Sequence, residues 1–283
     1  MRNTLITGAT GHVGRAVLQH LPDSPAIFQA VRAVRTARTG VRQLDFATPG
    51  TYHRSLQDMH TVFLMRPPQL SDVPRYFDPF LEAAVAAGVR HIVFLSVQGA
   101  EHIRFIPHAK IERSILRSGL PYTFVRPSYF MDNLTTTLLE GIRDNDRIVL
   151  PAGKAPFRWT DVADIGAGIA RILLDPTPHA GRAYTFTGPD LVAFPEVCTM
   201  LSDILGRTIH YSSPGPLHYF MAERTRDGGA DLALVKTVLH YLPRWQKAPA
   251  YSDDLHTLLG SAASGLHGFM VRNKALWTKG AAD

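Results

Sequence analysis

The sequence holds a single cysteine, Cys198, in 283 residues. No intramolecular disulfide can form, so a chain of this length must be held by its apolar core. That usage fits a reducing compartment, and a cytoplasmic location is expected. No stretch reaches the ~18 consecutive apolar residues of a membrane-spanning helix, so no membrane partner is expected. The first apolar run, Leu5–Thr7, is cut at once by Gly8, far short of a signal peptide's apolar region. The mature chain is therefore expected to begin near Met1. A Gly-x-Ser-x-Gly nucleophile elbow is missing, which removes the usual hydrolase arrangement. The 13 histidines are scattered, without the paired spacing and further ligand of a metal site. No helix-turn-helix signature, zinc spacing or long basic run accompanies the net charge of +6. Nothing therefore points to nucleic acid, and a plain basic surface or an anionic small ligand accounts for the charge.

What is there is alternation. Strand-like apolar runs at Thr4–Thr7, Ala26–Val31, Val41–Leu44, Thr61–Met65, His91–Ser96 and Tyr122–Arg126 are separated by helical stretches. These are His12–Leu21, Thr51–Gln57, Arg75–Ala87 and Pro107–Arg117. Near-continuous apolar strands between helices predict a parallel sheet covered on both faces. Beyond Val125 the pattern predicts a helix over Phe130–Gly141, a strand Arg147–Leu150, a loop Pro151–Phe157, a helix ending at Leu174 and a strand Ala183–Thr187. Helices follow at Pro195–Leu205, Leu217–Arg226, Ala230–Tyr241 and Leu266–Trp277. The expected fold class is α/β, a doubly wound parallel sheet of the Rossmann type with a smaller, mostly helical C-terminal substrate lobe. The core is expected over 1–187, with lobe contributions from about 127–160, and the lobe over 188–283. That lobe is expected over the carboxyl ends of the strands, where open α/β sheets bind ligands.

Residues 4–14 read TLITGATGHVG. A strand runs into Gly8, Gly11 and Gly14, and an amphipathic helix follows. Glycine permits a sharp turn, close approach of the backbone to a diphosphate, and close packing of the helix. The open N–H groups at the helix start would face the phosphates. Gly8, Thr10, Gly11, His12 and Val13 are thus candidate cofactor contacts. An NAD-selective site normally carries an acid near the end of the second strand. Between Ser24 and Leu44 there is none, and Arg32, Arg35, Arg38 and Arg42 stand there instead. Guanidinium groups suit a 2′-phosphate. NADP is therefore expected over NAD, with Arg32 as the chief contact and Arg35 or Arg38 assisting.

With these motifs the chain resembles the NmrA-like family of atypical short-chain dehydrogenase/reductases. The resemblance rests on TGATGHVG (7–14), QLDF (43–46), VFLMRPP (62–68), AAGVRHIVFLSVQGAE (86–101), the stretch 106–134 and the late GPDLVAFPEV (188–197). It implies Asp45 and Phe46 beside the adenine, and Met65, Arg66, Pro67 and Pro68 beside the ribose and diphosphate. It further implies Ser96, Val97 and Gln98 near the nicotinamide, and Tyr129 and Phe130 at the pocket mouth. Phe46 as core, the prolines as loop formers and Tyr129 as cover for the sheet edge are the plain alternatives.

One family feature is missing. The Tyr-x-x-x-Lys pair of short-chain dehydrogenases falls on Arg104 and His108 in one register, and on Ile106 and Lys110 in the other. Two readings follow. In the first, the chain is an NADP(H)-dependent oxidoreductase acting on a quinone or another small conjugated electrophile, where geometry suffices for hydride transfer. His108, Lys110 and Tyr129 are then the candidate catalytic groups, His108 or Tyr129 as proton donor and Lys110 on ribose or phosphate. In the second, the chain is a non-catalytic NADP(H) sensor with a protein partner. Cys198 is expected to be a buried apolar residue, and Trp159, Trp245 and Trp277 are expected to be packing residues.

Overall fold

The computed structural model describes residues 2–22, 28–35, 41–225 and 229–279. The apolar runs of the N-terminal half form β1 (Arg2–Ile6), β2 (Phe28–Val34), β3 (Arg42–Gln43), β4 (Thr61–Met65), β5 (His91–Leu95) and β6 (Tyr122–Pro127). Between them lie α1 (His12–Gln19), α2 (Tyr52–Leu56), α3 (Val73–Tyr76), α4 (Asp78–Ala86) and α5 (Pro107–Ser118). Arg38 and the start of the expected strand Ala26–Val31 lie outside the described residues.

Contacts divide the chain into two units, the first made of Met1–Pro127, Val162–Phe186 and Asp253–Ala262. Its last two segments add α7 (Val162–Leu174), β10 (Arg182–Phe186) and α11 (Asp254–Leu259). The seven strands run in the order β10-β6-β5-β4-β1-β2-β3, every pairing parallel. Side chains alternate between the two faces of a strand. Leu5, Leu64, Phe94 and Phe124 therefore share one cluster with Phe80, Ile111 and Ile115 of α4 and α5. Their neighbours Ile6, Phe63, Val93 and Val125, also buried, face the side of α1 and α7. This is a Rossmann-type α/β fold. The strand order reverses between β1 and β4, so the crevice beyond their carboxyl ends is the place where this architecture takes ligands.

The second unit comprises Ser128–Asp161, Thr187–Ser252 and Ala263–Asp283. It holds β7 (Tyr129–Phe130), α6 (Leu139–Asn145), β8 (Arg147–Val149), β9 (Pro156–Thr160), β11 (Leu191–Ala193), α8 (Phe194–Leu205), β12 (His210–Ser212), α9 (Pro216–Glu223), α10 (Gly229–Tyr241) and α12 (Leu266–Trp277). Trp159, Phe194 and Trp277 centre its core. Both indoles donate to backbone carbonyls, Trp159 to Val192 and Trp277 to Leu134.

Several elements differ from expectation. The helix expected over Phe130–Gly141 is a 3₁₀ turn at Met131–Leu134 followed by α6. The hydroxyls of Thr135 and Thr136 bond to the Asp132 carbonyl, and such local bonds compete with helix formation. The loop expected at Pro151–Phe157 ends two residues early, where β9 begins at Pro156 and pairs with β7 and β11. The single helix expected over Arg75–Ala87 is split into α3 and α4, because Pro79 at the start of α4 has no N–H to continue the ladder. The short strands β11 and β12 were not apparent in the last hundred residues. Trp245 does not pack, being 76% exposed.

Candidate functional site

β1 ends at Ile6, and Thr7 ties it to β4 from both sides. The Thr7 N–H donates to the Phe63 carbonyl, and its hydroxyl accepts from the Met65 N–H at 2.8 Å. Gly8 then turns the chain with φ +61°, a left-handed conformation that favours glycine. The Gly11 N–H closes the turn on the Gly8 carbonyl at 2.9 Å. α1 begins next, with no side-chain cap and no acid in its first turn. Its first N–H groups therefore remain available to an anion. A Cβ at Gly14 would come within 2.1 Å of the Gly8 oxygen, so this glycine is demanded by the loop itself. A Cβ at Gly11 would meet only that oxygen at 3.3 Å and the Met65 methyl at 3.9 Å. The loop has the form that a diphosphate requires, and Gly11 is less crowded than Gly14, though a Cβ there would still press on the Gly8 oxygen.

Arg32 pairs in register with Ile6, level with the start of the glycine loop, and is exposed. Arg35 is also exposed, whereas Arg42 donates to the carbonyls of Arg54, Ser55 and Gln57 at the end of α2. Asp45 is spent on its own turn, accepting from the Ala47 N–H and the Thr48 hydroxyl. Phe46 does not stand free beside an adenine. It is buried, its ring 5.1 Å from Phe77 and 5.0 Å from Phe80. Thr10 and His12 are exposed on the loop, while the Val13 side chain is buried.

At the end of β4, Arg66 folds back on its own loop. One terminal nitrogen, Nη1, donates to the carbonyls of Pro67, Pro68 and Leu70 at 3.0, 2.8 and 3.2 Å. Its Nε is buried without a partner, and burial lowers the guanidinium pKa. At the end of β5, the Ser96 hydroxyl donates to Glu112 at 2.5 Å. Arg126 of β6 grips the same carboxylate with two hydrogen bonds, at 2.9 and 2.7 Å, and reaches Glu101 at 3.2 Å. Ser96 and Glu112 are buried. The Ser96 side chain is thus committed to a charge network that anchors the β5–α5 connection. The sequence did carry a signal for that network: an acid, Glu112, on the buried face of α5 between Ile111 and Ile115. Val97 and Gln98 are half-exposed just beyond, the Gln98 N–H bonded to the Pro127 carbonyl.

His108 lies in the first turn of α5, half-buried, its ring 6.2 Å from that of Phe94. Burial and the Arg66 charge push its pKa down to about 3. At neutral pH the ring is uncharged, a hydrogen-bond donor rather than an imidazolium acid. Lys110 is exposed.

In the second unit, Tyr129 is enclosed by Phe157, Trp159 and Phe194. Its hydroxyl meets His240 Nε2 at 2.8 Å, and His240 Nδ1 meets the Lys236 carbonyl at 2.7 Å. A carbonyl only accepts, so Nδ1 carries the proton and Tyr129 donates to Nε2. Burial raises the tyrosine pKa and lowers that of His240 to about 4. The Tyr129 proton is therefore engaged inside this unit. His240 was not singled out by sequence, where a lone histidine in a helix carries no signal. Cys198 is buried, its thiol pKa pushed up to about 12 by burial, which makes it inert.

The parallel sheet, its switch point and a glycine loop opening an uncapped helix define a dinucleotide-binding protein of the Rossmann type. The NmrA-like family profile matches residues 2–220. The chain belongs to that family. It is 37% identical over 222 residues to the (4-alkanoyl-5-oxo-2,5-dihydrofuran-3-yl)methyl phosphate reductase of Streptomyces griseus, covering 75% of this chain and 77% of that protein. It is 30% identical to the NAD(P)H azoreductase of Xenophilus azovorans, over 73% of this chain and 75% of that one. The NADPH-dependent quinone oxidoreductase of Escherichia coli, solved with NADPH, superposes with a TM-score of 0.81 at 21% identity, covering 96% of this chain and 99% of that one.

Proposed function

We propose that the chain is an NADP(H)-dependent oxidoreductase that reduces a small conjugated electrophile, quinones included, by hydride transfer. The observation that carries this reading is the β1–α1 loop, whose glycines and open N–H groups fit a diphosphate at the switch point of the sheet. Gly8, Thr10, Gly11, His12 and Val13 hold that group through backbone and loop contacts. The exposed Arg32, beside Ile6 and with no acid nearby in sequence, receives the 2′-phosphate and gives NADP its advantage over NAD. Met65, Pro67, Val97 and Gln98 line the path of the dinucleotide, and Lys110 reaches its ribose. When bound, the nicotinamide supplies hydride.

The relatives support the acceptor class. An unsaturated lactone, an azo compound and a quinone are named in their activities. Each is an electrophilic conjugated system that needs no activated tyrosine to accept hydride, in keeping with the missing Tyr-x-x-x-Lys pair. The protein's part is orientation and charge stabilisation. Among the described residues no helix is long and apolar enough to cross a membrane, and the reading includes a cytoplasmic location.

The test mixes purified protein with NADPH and a panel of quinones, azo dyes and enones, and follows the nicotinamide absorbance. Consumption of NADPH with at least one acceptor is expected. Tight NADPH binding with no consumption across the panel would favour a sensor, and absence of binding would overturn the reading altogether.

A further inference from the structure

Two polar side chains stand at the carboxyl edge of the sheet with capacity that the fold does not use. Arg66 follows Met65, which is paired with Leu95 across β4 and β5. The Met65 methyl lies against Gly8 of the phosphate loop. Arg66 has no carboxylate partner among the described residues. Nη1 is engaged by three carbonyls and Nε is buried without a partner, leaving Nη2 unengaged. A partly buried cation with no counter-charge is costly, and a chain tolerates one where a ligand completes it. His108 is the second group. Its ring packs against Phe94 of β5, whose next residue, Leu95, pairs with Met65 beside Arg66, and it makes no hydrogen bond among the described residues. The contrast with Arg126 is direct, since that guanidinium is paired with two carboxylates.

We propose that Arg66 and His108 form an oxyanion site, in which Nη2 of the guanidinium and an imidazole N–H receive the negative charge that develops on the oxygen of a conjugated carbonyl acceptor. The inference rests on the reductase reading and names the groups that act on its substrate. A carbonyl acceptor that gains hydride at its conjugated carbon breaks its carbon–carbon π bond. The electron pair moves through the conjugated system onto oxygen, giving an enolate; in the quinone case the protonated product then loses a proton from carbon to water and gains one on oxygen to become the hydroquinone. The nicotinamide that supplied the hydride is oxidised, and water provides the proton that completes the product. A neutral imidazole is suited to this task, because its one N–H donates a hydrogen bond to the developing oxyanion while the ring itself stays uncharged. Donors aimed at developing charge in a partly dry site lower the barrier more than they tighten substrate binding.

An anionic oxygen near Arg66 has a second source, the cofactor diphosphate, and the experiment separates the two. Para-nitrophenol is titrated into the protein saturated with NADP, and its absorbance reports whether phenol or phenolate is bound. The phenolate is expected to bind at least about tenfold more tightly than the phenol. His108→Ala should lower that preference severalfold and Arg66→Gln should abolish it, with NADPH affinity, read by fluorescence, unchanged in both. Arg66 also shapes its loop, so His108→Ala carries the test if Arg66→Gln fails to fold. Absence of nitrophenol binding, equal binding of phenol and phenolate, or an unchanged preference in His108→Ala would overturn the proposal. Loss of NADPH affinity in step with the phenolate preference would assign the pair to the diphosphate and overturn it as well. If wild-type protein binds and consumes NADPH with an enone yet shows no phenolate preference, only this inference falls. If it binds no NADPH, the reductase reading falls.

Discussion

His240 and His108 are both held neutral by burial, yet they are equipped differently. His240 gives its Nδ1 proton to a backbone carbonyl and takes the Tyr129 proton on Nε2, so both ring nitrogens are satisfied from within the second unit. His108, in the first unit, is only half-buried and has neither nitrogen engaged among the described residues. The same contrast separates two glycines of one loop. A Cβ at Gly14 would collide with the Gly8 carbonyl at 2.1 Å, whereas one at Gly11 would press on it only at 3.3 Å. A position filled by the protein's own atoms answers to stability. One left open at the carboxyl edge of the sheet answers to a ligand.

Four substitutions and one titration would break or sharpen that contrast. Gly14→Ala should have the largest effect, because a Cβ 2.1 Å from a backbone oxygen forces the loop or helix to move. A loss of about 3 kcal/mol or more in urea unfolding is expected. His240→Ala should come next, at about 3 kcal/mol, since it strips the Tyr129 hydroxyl of its acceptor and leaves a void among aromatic rings. The titration tests the same residue. A histidine whose folded pKa is depressed takes up protons more readily when unfolded, so its contribution is complete above pH 6.5. That contribution is lost as pH falls toward about 4. The urea midpoint of the wild type should fall over that window, and His240→Ala should flatten the slope. Gly11→Ala should keep stability within about 1 kcal/mol but weaken NADPH binding in a fluorescence titration. His108→Ala should be the mildest for the fold, within about 0.5 kcal/mol, even as acceptor turnover drops. A His108→Ala protein as damaged as His240→Ala would erase the distinction.

A smaller comparison concerns the cofactor's tail. Arg32→Ala should weaken NADPH by roughly tenfold or more, because a charge-assisted bidentate contact is lost, and should leave NADH nearly unchanged. Equal losses would remove Arg32 from the 2′-phosphate.

The sheet and the glycine loop were legible in the sequence because their causes are local. Thr61–Met65 and Tyr122–Arg126 are apolar runs of strand length, and Gly8, Gly11 and Gly14 are spaced by the loop they form. The extent of α5 was legible too, expected over Pro107–Arg117 and found over Pro107–Ser118. What escaped was set by distant partners. Phe46 stays open between adenine and core in the sequence, and only the distant Phe77 and Phe80 show its core packing. Ser96 looks free until Glu112 accepts a hydrogen bond from its hydroxyl and Arg126 holds that carboxylate in place. β9 is a strand because β11 and β7 flank it, and no periodicity within Pro156–Thr160 announces that. The Tyr129–His240 bond spans 111 positions, beyond the reach of any spacing rule.

The chain passes between the two units at 127–128, 161–162, 186–187, 252–253 and 262–263. This weaving sets a timetable for synthesis. Six of the seven strands of the large sheet emerge from the ribosome before β10, and α11 emerges only near the end. Until residue 262 is made, the first unit lacks one of its own pieces, so its assembly is completed late. No single cut separates the units either, since any fragment long enough to hold all of one carries stranded apolar segments of the other.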